Sequence, residues 1–121
     1  MAIRTILLVD DSKTVLHHLS EVLLRNGYQV HTAENGEQAM QSLQSERPDL
    51  ILMDVVMPGQ NGFQLTRVIT RDARYADIPV IICTSKALET DKVWGMRQGA
   101  SDYMVKPVDP NDLIARIRAF D

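Results

Sequence analysis

The sequence predicts an α/β fold: a five-stranded parallel sheet, doubly wound by five helices into a three-layer sandwich. Three observations carry this reading. Aliphatic runs recur five times, each followed by a stretch with helical spacing of its apolar residues. Two of the runs, 50–53 and 80–83, are continuous rather than alternating, the pattern of strands buried on both faces of a parallel sheet. The connections are short, and parallel strands joined by right-handed crossovers place helices on both faces. The 121 residues suit a single domain, residues 1–121, around one core.

Each element has its own warrant. Ile3 to Val9 is an aliphatic strand ending in the polar, capping-type turn Asp10-Asp11-Ser12. Val15, Leu16, Leu19, Val22 and Leu23 then recur at helical spacing, and Asn26-Gly27 stops the helix. His17 and His18 lie beside that stripe; adjacent on a helix, they cannot both face one metal. Tyr28 to Ala33 alternates loosely and reads as a weaker strand near an edge. Asn35-Gly36-Glu37-Gln38 has the form of a capping box ahead of Ala39, Met40 and Leu43, and Pro48 closes that helix.

The third strand, Leu50 to Asp54, ends in a carboxylate, and Pro58 prevents its continuation. Gly59, Asn61 and Gly62 form a loop before a helix carrying Phe63, Leu65, Val68 and Ile69 on its apolar face. Val80 to Thr84 is the fourth strand. Ala87 to Gln98 follows as a less well specified helix, since Gly95 costs about 1 kcal/mol relative to Ala in a helix interior. Asp102 to Val105 is the fifth strand. Asp109-Pro110-Asn111-Asp112 combines an N-cap, Pro at N1 and an acidic first turn, and Leu113, Ile114, Ile117 and Phe120 complete the last apolar face.

Composition narrows the classes of function. Thirteen basic against sixteen acidic residues, a net charge of −3, offer no general attraction for nucleic acid or an anionic membrane. The one cysteine, Cys83, lies inside an apolar run and reads as a reduced core thiol in a cytoplasmic protein. No signal-peptide pattern and no membrane-length apolar run occurs. Met1 and the absence of a trailing linker predict a complete chain that ends with its fifth helix at Asp121.

In such a sheet the carboxyl ends of all strands lie along one edge, where open α/β sheets bind ligands. That edge gathers Asp10 and Asp11, Asp54, Thr84 and Lys106 from four strands. Hard carboxylate oxygens without His or Cys suit an octahedral Mg²⁺, which also relieves their mutual repulsion. Asp54, carried on a rigid buried strand, is the best-placed nucleophile for an acyl phosphate, with Thr84 and Lys106 as partners for the phosphoryl oxygens. The bland alternatives stay open one by one: Asp10 and Asp11 as helix caps, Thr84 bonded to backbone, Lys106 as a solvated turn residue. Their joint arrival on one edge is harder to explain in that way.

The chain resembles the receiver domains of bacterial two-component response regulators, with their flavodoxin-like, CheY-like (βα)5 fold. The resemblance rests on Val9-Asp10-Asp11-Ser12, Met53 to Gly59 with Asn61-Gly62-Phe63, Pro79-Val80-Ile81 through Thr84-Ser85, and Gly99 to Tyr103 through Lys106-Pro107. It implies that Asp54 accepts a phosphoryl group from the phosphohistidine of a CheA-like histidine kinase. It implies Mg²⁺ held by Asp11, Asp54 and the Val56 backbone carbonyl, with Asp10 acting through water, and a cis Lys106-Pro107 bond. Thr84 and Tyr103 then form a switch that alters the face made by the fourth helix, fifth strand and fifth helix, Tyr103 as an ordinary half-buried aromatic being the alternative. Val56 and Lys86 flank the path of the hydrolytic water, and an apolar Val56 implies slow self-dephosphorylation.

Glu89 to Ala100 is similar to a narrower group, the single-domain regulators of chemotaxis-like systems controlling type IV pili and twitching motility. There Trp94 and Met96 either contribute to a partner surface or pack on the sheet. The implied protein is a monomeric, non-enzymatic phosphoacceptor with a downstream protein partner, a pilus-motor-associated one in the narrower reading, and with neither nucleic-acid nor membrane contacts. Its rivals are a phosphate sink for a shared kinase and a small Mg²⁺-dependent phosphohydrolase using Asp54. A flavodoxin-like cofactor binder is opposed by the lack of a Gly-rich loop after the first strand.

Overall fold

The computed structural model describes residues 2–57, 59 and 61–121. Pro58, expected to break the third strand, lies outside the described residues, as do Met1 and Gln60. The elements are β1 (Thr5–Val9), α1 (Lys13–Arg25), β2 (Gln29–Ala33), α2 (Gly36–Ser45), β3 (Leu50–Met53), α3 (Gly62–Arg71), β4 (Val80–Thr84), α4 (Glu89–Arg97), β5 (Asp102–Val105) and α5 (Pro110–Arg118). The strands form one parallel sheet in the order β2-β1-β3-β4-β5, with β2 at an edge as expected.

Alternation along the strands builds a core on each face. Ile6, Leu8, Leu50, Leu52, Ile81 and Cys83 point toward Leu16, Leu19 and Leu23 of α1 and Leu113, Ile114 and Ile117 of α5. Leu7, Val9, Ile51, Met53 and Val80 point the other way, toward Ala39 and Leu43 of α2 and Leu65 and Ile69 of α3. Burial on both faces explains why β1, β3 and β4 read as unbroken apolar runs. Cys83 is buried and free, and burial pushes its thiol up to about 12.

The caps follow the sequence closely. Ser12 accepts from the Val15 amide (3.3 Å), Asn35 from Gln38 (2.8 Å) and Asp109 from Asp112 (3.0 Å), the last with Pro110 at the first helical position. The Gln38 side chain returns its bond to the Glu34 amide (2.8 Å), one residue before the cap itself. One expectation is corrected, and one of two open alternatives falls. Val68 is exposed, because Gly62, Phe63, Leu65, Thr66 and Ile69 form the buried stripe of α3 and Val68 falls off it. Trp94 and Met96 do not pack on the sheet: Trp94 is 50 % exposed, and Gly95 is the buried residue of α4.

Candidate phosphoacceptor site

The backbone ladders run one residue past three strands and so fix where the polar side chains begin. The Asp10 amide donates to Ala33 (3.0 Å), the Asp54 amide to Val9 (2.9 Å) and the Lys106 amide to Thr84 (2.8 Å). Asp10, Asp54 and Lys106 thus stand on the same edge, each held by its neighbour's main chain. The start of α3 lies tight against the end of β3, where a Cβ at Gly62 would fall on the Asp54 carbonyl oxygen. Glycine there is a requirement of close approach.

The carboxylates of Asp10, Asp11 and Asp54 each offer an oxygen within 4.8 Å of the others. Asp10 and Asp54 are only 2 % and 6 % exposed, whereas Asp11 faces solvent. Lys106 Nζ lies 2.6 Å from Asp10 Oδ2 and 3.6 Å from Asp54 Oδ2. Asp10 Oδ1 also accepts from the Ser12 amide (2.9 Å), and Asp54 Oδ1 accepts from the Val56 amide (3.3 Å). Asp10 therefore joins the acidic cluster, and the cap of α1 is Ser12. Lys106 is no free turn residue but the cation shared by two buried acids.

Opposing influences act on the Asp54 carboxyl. Burial and the neighbouring Asp10 charge raise its pKa above the ordinary aspartate value, while Lys106, the Val56 amide and the Thr84 hydroxyl oppose the rise. Burial disfavours the Lys106 ammonium, yet the hydrogen bond and charge of Asp10, with Asp54 behind it, outweigh that and raise its pKa. One ammonium facing three carboxylates leaves the cluster acidic. Its donors are all hard oxygens, two of them buried, a set that fits a divalent cation of the Mg²⁺ type.

Thr84 is fully buried at the end of β4, and its Oγ1 accepts from the Lys86 amide (3.4 Å). Tyr103 is buried as well, its hydroxyl donating to the Lys86 carbonyl oxygen (2.8 Å). Burial, with the Asp91 and Asp54 charges, pushes that hydroxyl up to about 12. The Lys86 backbone thus touches both Thr84 and Tyr103, a link that sequence reading, which considered only the Lys86 side chain, did not find. Val56 is exposed at the mouth of the site, and the Lys86 ammonium lies 4.0 Å from Asp91. The Lys106-Pro107 bond is cis. Beside it a cleft of about 480 Å³ opens between Thr14, Val15, His18 and Leu19 of α1 and the Lys106-Pro107-Val108 turn.

Comparison with known proteins follows the same lines. Residues 6–118 match the family described as the response regulator receiver domain. Protein PilH of Pseudomonas aeruginosa is 54 % identical over 114 residues, covering 94 % of each chain. The phosphate regulon transcriptional regulatory protein PhoB of Escherichia coli is 40 % identical over 116 residues, and the chain spans about half of that protein's length. Among solved structures, the chemotaxis protein CheY4 of Vibrio cholerae superposes with a TM-score of 0.92 at 31 % identity, covering 99 % of this chain and all of that one.

Proposed function

We propose, from the premise that this chain belongs to the response regulator receiver domain family, that Asp54 accepts a phosphoryl group from the phosphohistidine of a histidine kinase. The observation that carries this is the buried Asp54 carboxylate beside Lys106 and within one acidic cluster with Asp10 and Asp11. An Asp54 oxygen forms the new P–O bond as the donor's P–N bond breaks, and the imidazole nitrogen keeps the electron pair of that bond. Lys106 Nζ offers a charge to one phosphoryl oxygen, and the Thr84 hydroxyl donates to another. Asp11, Asp54 and the Val56 carbonyl would hold Mg²⁺, with Asp10 acting through water. When bound, the ion neutralises charge on the phosphoryl oxygens and among the carboxylates.

Residues 1–121 act in this reading as a single receiver domain in the cytoplasm; among the described residues no helix is long and apolar enough to cross a membrane. Thr84 and Tyr103 form the switch, and the α4–β5–α5 face carries the signal to a protein partner. Exposed Leu88, Val93, Trp94, Met96 and Val105 support an output surface there. The segment from Glu89 to Ala100 supports the narrower reading, control of type IV pili and twitching motility by a chemotaxis-like system with a CheA-like kinase.

Intact-mass measurement after incubation with a small phosphodonor tests the chemistry. One phosphoryl adduct per chain is expected, requiring Mg²⁺ and lost in Asp54→Asn. An adduct that persists in that variant overturns the assignment of Asp54, and no adduct in any condition overturns the receiver chemistry.

A further inference from the structure

Gly95 is the buried residue of an otherwise exposed helix, and a glycine in a helix interior is a poorer choice than alanine unless the space is needed. Here it is needed. A Cβ at position 95 would lie 2.9 Å from Ile82 Cδ1 and 3.0 Å from both Cδ2 and Cε2 of the Tyr103 ring. These residues share a small cluster with Val55, Phe63 and Ala100, away from the two main cores.

We propose that the missing side chain at Gly95 is what lets Tyr103 sit inward, making Gly95 the positioning residue of the switch. An added methyl group must displace something. Ile82 is fully buried in β4, packed among Val55, Phe63 and Ala100. The carboxyl end of α4 is tied to α3, where Thr70 Oγ1 donates to the Gln98 carbonyl oxygen (2.8 Å) and Gly99 lies close against the Thr70 side chain. Tyr103 alone has an exit, because β5 is an edge strand. Leaving its seat breaks the bond to the Lys86 carbonyl and releases the segment whose amide donates to Thr84. A residue of α4, a helix that supplies none of the acidic edge, thereby sets the resting balance of the switch.

This inference rests on the proposed function only in giving Tyr103 a switching role, and its test needs no phosphodonor. Protein carrying 3-fluorotyrosine at Tyr28, Tyr75 and Tyr103 is compared with Gly95→Ala by fluorine NMR, Tyr103→Phe assigning the resonance. Wild type is expected to show a dominant buried Tyr103 signal, and Gly95→Ala an inward population lower by roughly tenfold or more, the scale of an overpacking cost. An unchanged Tyr103 signal in Gly95→Ala overturns the proposal. Thermal denaturation supplies the second arm. Gly95→Ala should raise Tm in a Tyr103→Ala background, where the ring is gone and helix propensity acts alone. If it lowers Tm or prevents folding there as well, the clash is with Ile82 rather than Tyr103, and the proposal fails.

Discussion

Burial and the neighbouring Asp10 charge make the ionised Asp54 carboxylate destabilising to the fold at neutral pH. A carboxyl whose pKa is raised in the folded state binds its proton more tightly there than when unfolded. Its contribution is therefore favourable at pH below its unfolded value of 3.8 and is lost as pH rises through the raised one. Asp54→Asn should accordingly raise Tm at pH 7 by a few degrees, the gain shrinking toward acidic pH; a scan of Tm against pH checks the sign. Val56 poses the opposite case, a residue that matters by what it lacks. It is exposed at the site mouth with no group to orient water. Val56→Asn should speed loss of the phosphoryl group several-fold, read as the decay of the adduct mass; an unchanged decay would remove Val56 from any part in hydrolysis.

At the level of elements, caps and core differ in what they hold. Asn35→Ala removes one bond at the exposed start of α2 and should cost about 1 kcal/mol. Leu52→Ala empties a position with no solvent exposure in the central strand and should cost about 2–5 kcal/mol, both measured by urea denaturation. The strands were legible because burial on both faces writes an unbroken apolar run, and α1, α2 and α5 because their caps are spelled in Ser12, Asn35 and Asp109. The helix α4 was legible over Ala87 to Gln98 as a helix, but not in how it is seated. Its apolar residues Val93, Trp94 and Met96 form no buried stripe, and the contact that seats it is made by Gly95, which has no side chain to announce it. Val68 misled for a related reason: an apolar residue near a stripe is read as part of it, although a shift of one position on a helix turns it toward solvent.

Across the whole molecule, the site was legible as a set of strand ends because topology alone brings Asp10, Asp54, Thr84 and Lys106 to one edge. Their pairwise roles were not, since nothing in the spacing tells that Lys106 reaches Asp10 more closely than Asp54. Nor does it tell that Asp49, at the opposite edge, accepts from the amides of Arg4 and Thr5 (3.0 and 2.9 Å) and so anchors the start of β1. The acidic cluster couples the site to global stability. Mg²⁺ at about 100 times its dissociation constant should add about 2.7 kcal/mol to unfolding free energy. Asp11→Asn, altering an exposed residue, should weaken that gain while leaving the metal-free stability near wild type. Calorimetry with and without Mg²⁺ separates the two effects.

The ladders that overrun β1, β3 and β5 by one residue carry a consequence for the cell. The reactive edge exists only while three separate strand pairings hold their register, because Asp10, Asp54 and Lys106 are each hung from the neighbouring strand's main chain. A one-residue slip in any of them turns its side chain to the other face. For a messenger of the kind proposed, a copy with one slipped strand would lack a member of the phosphoacceptor edge, and its failure to fold would read as silence.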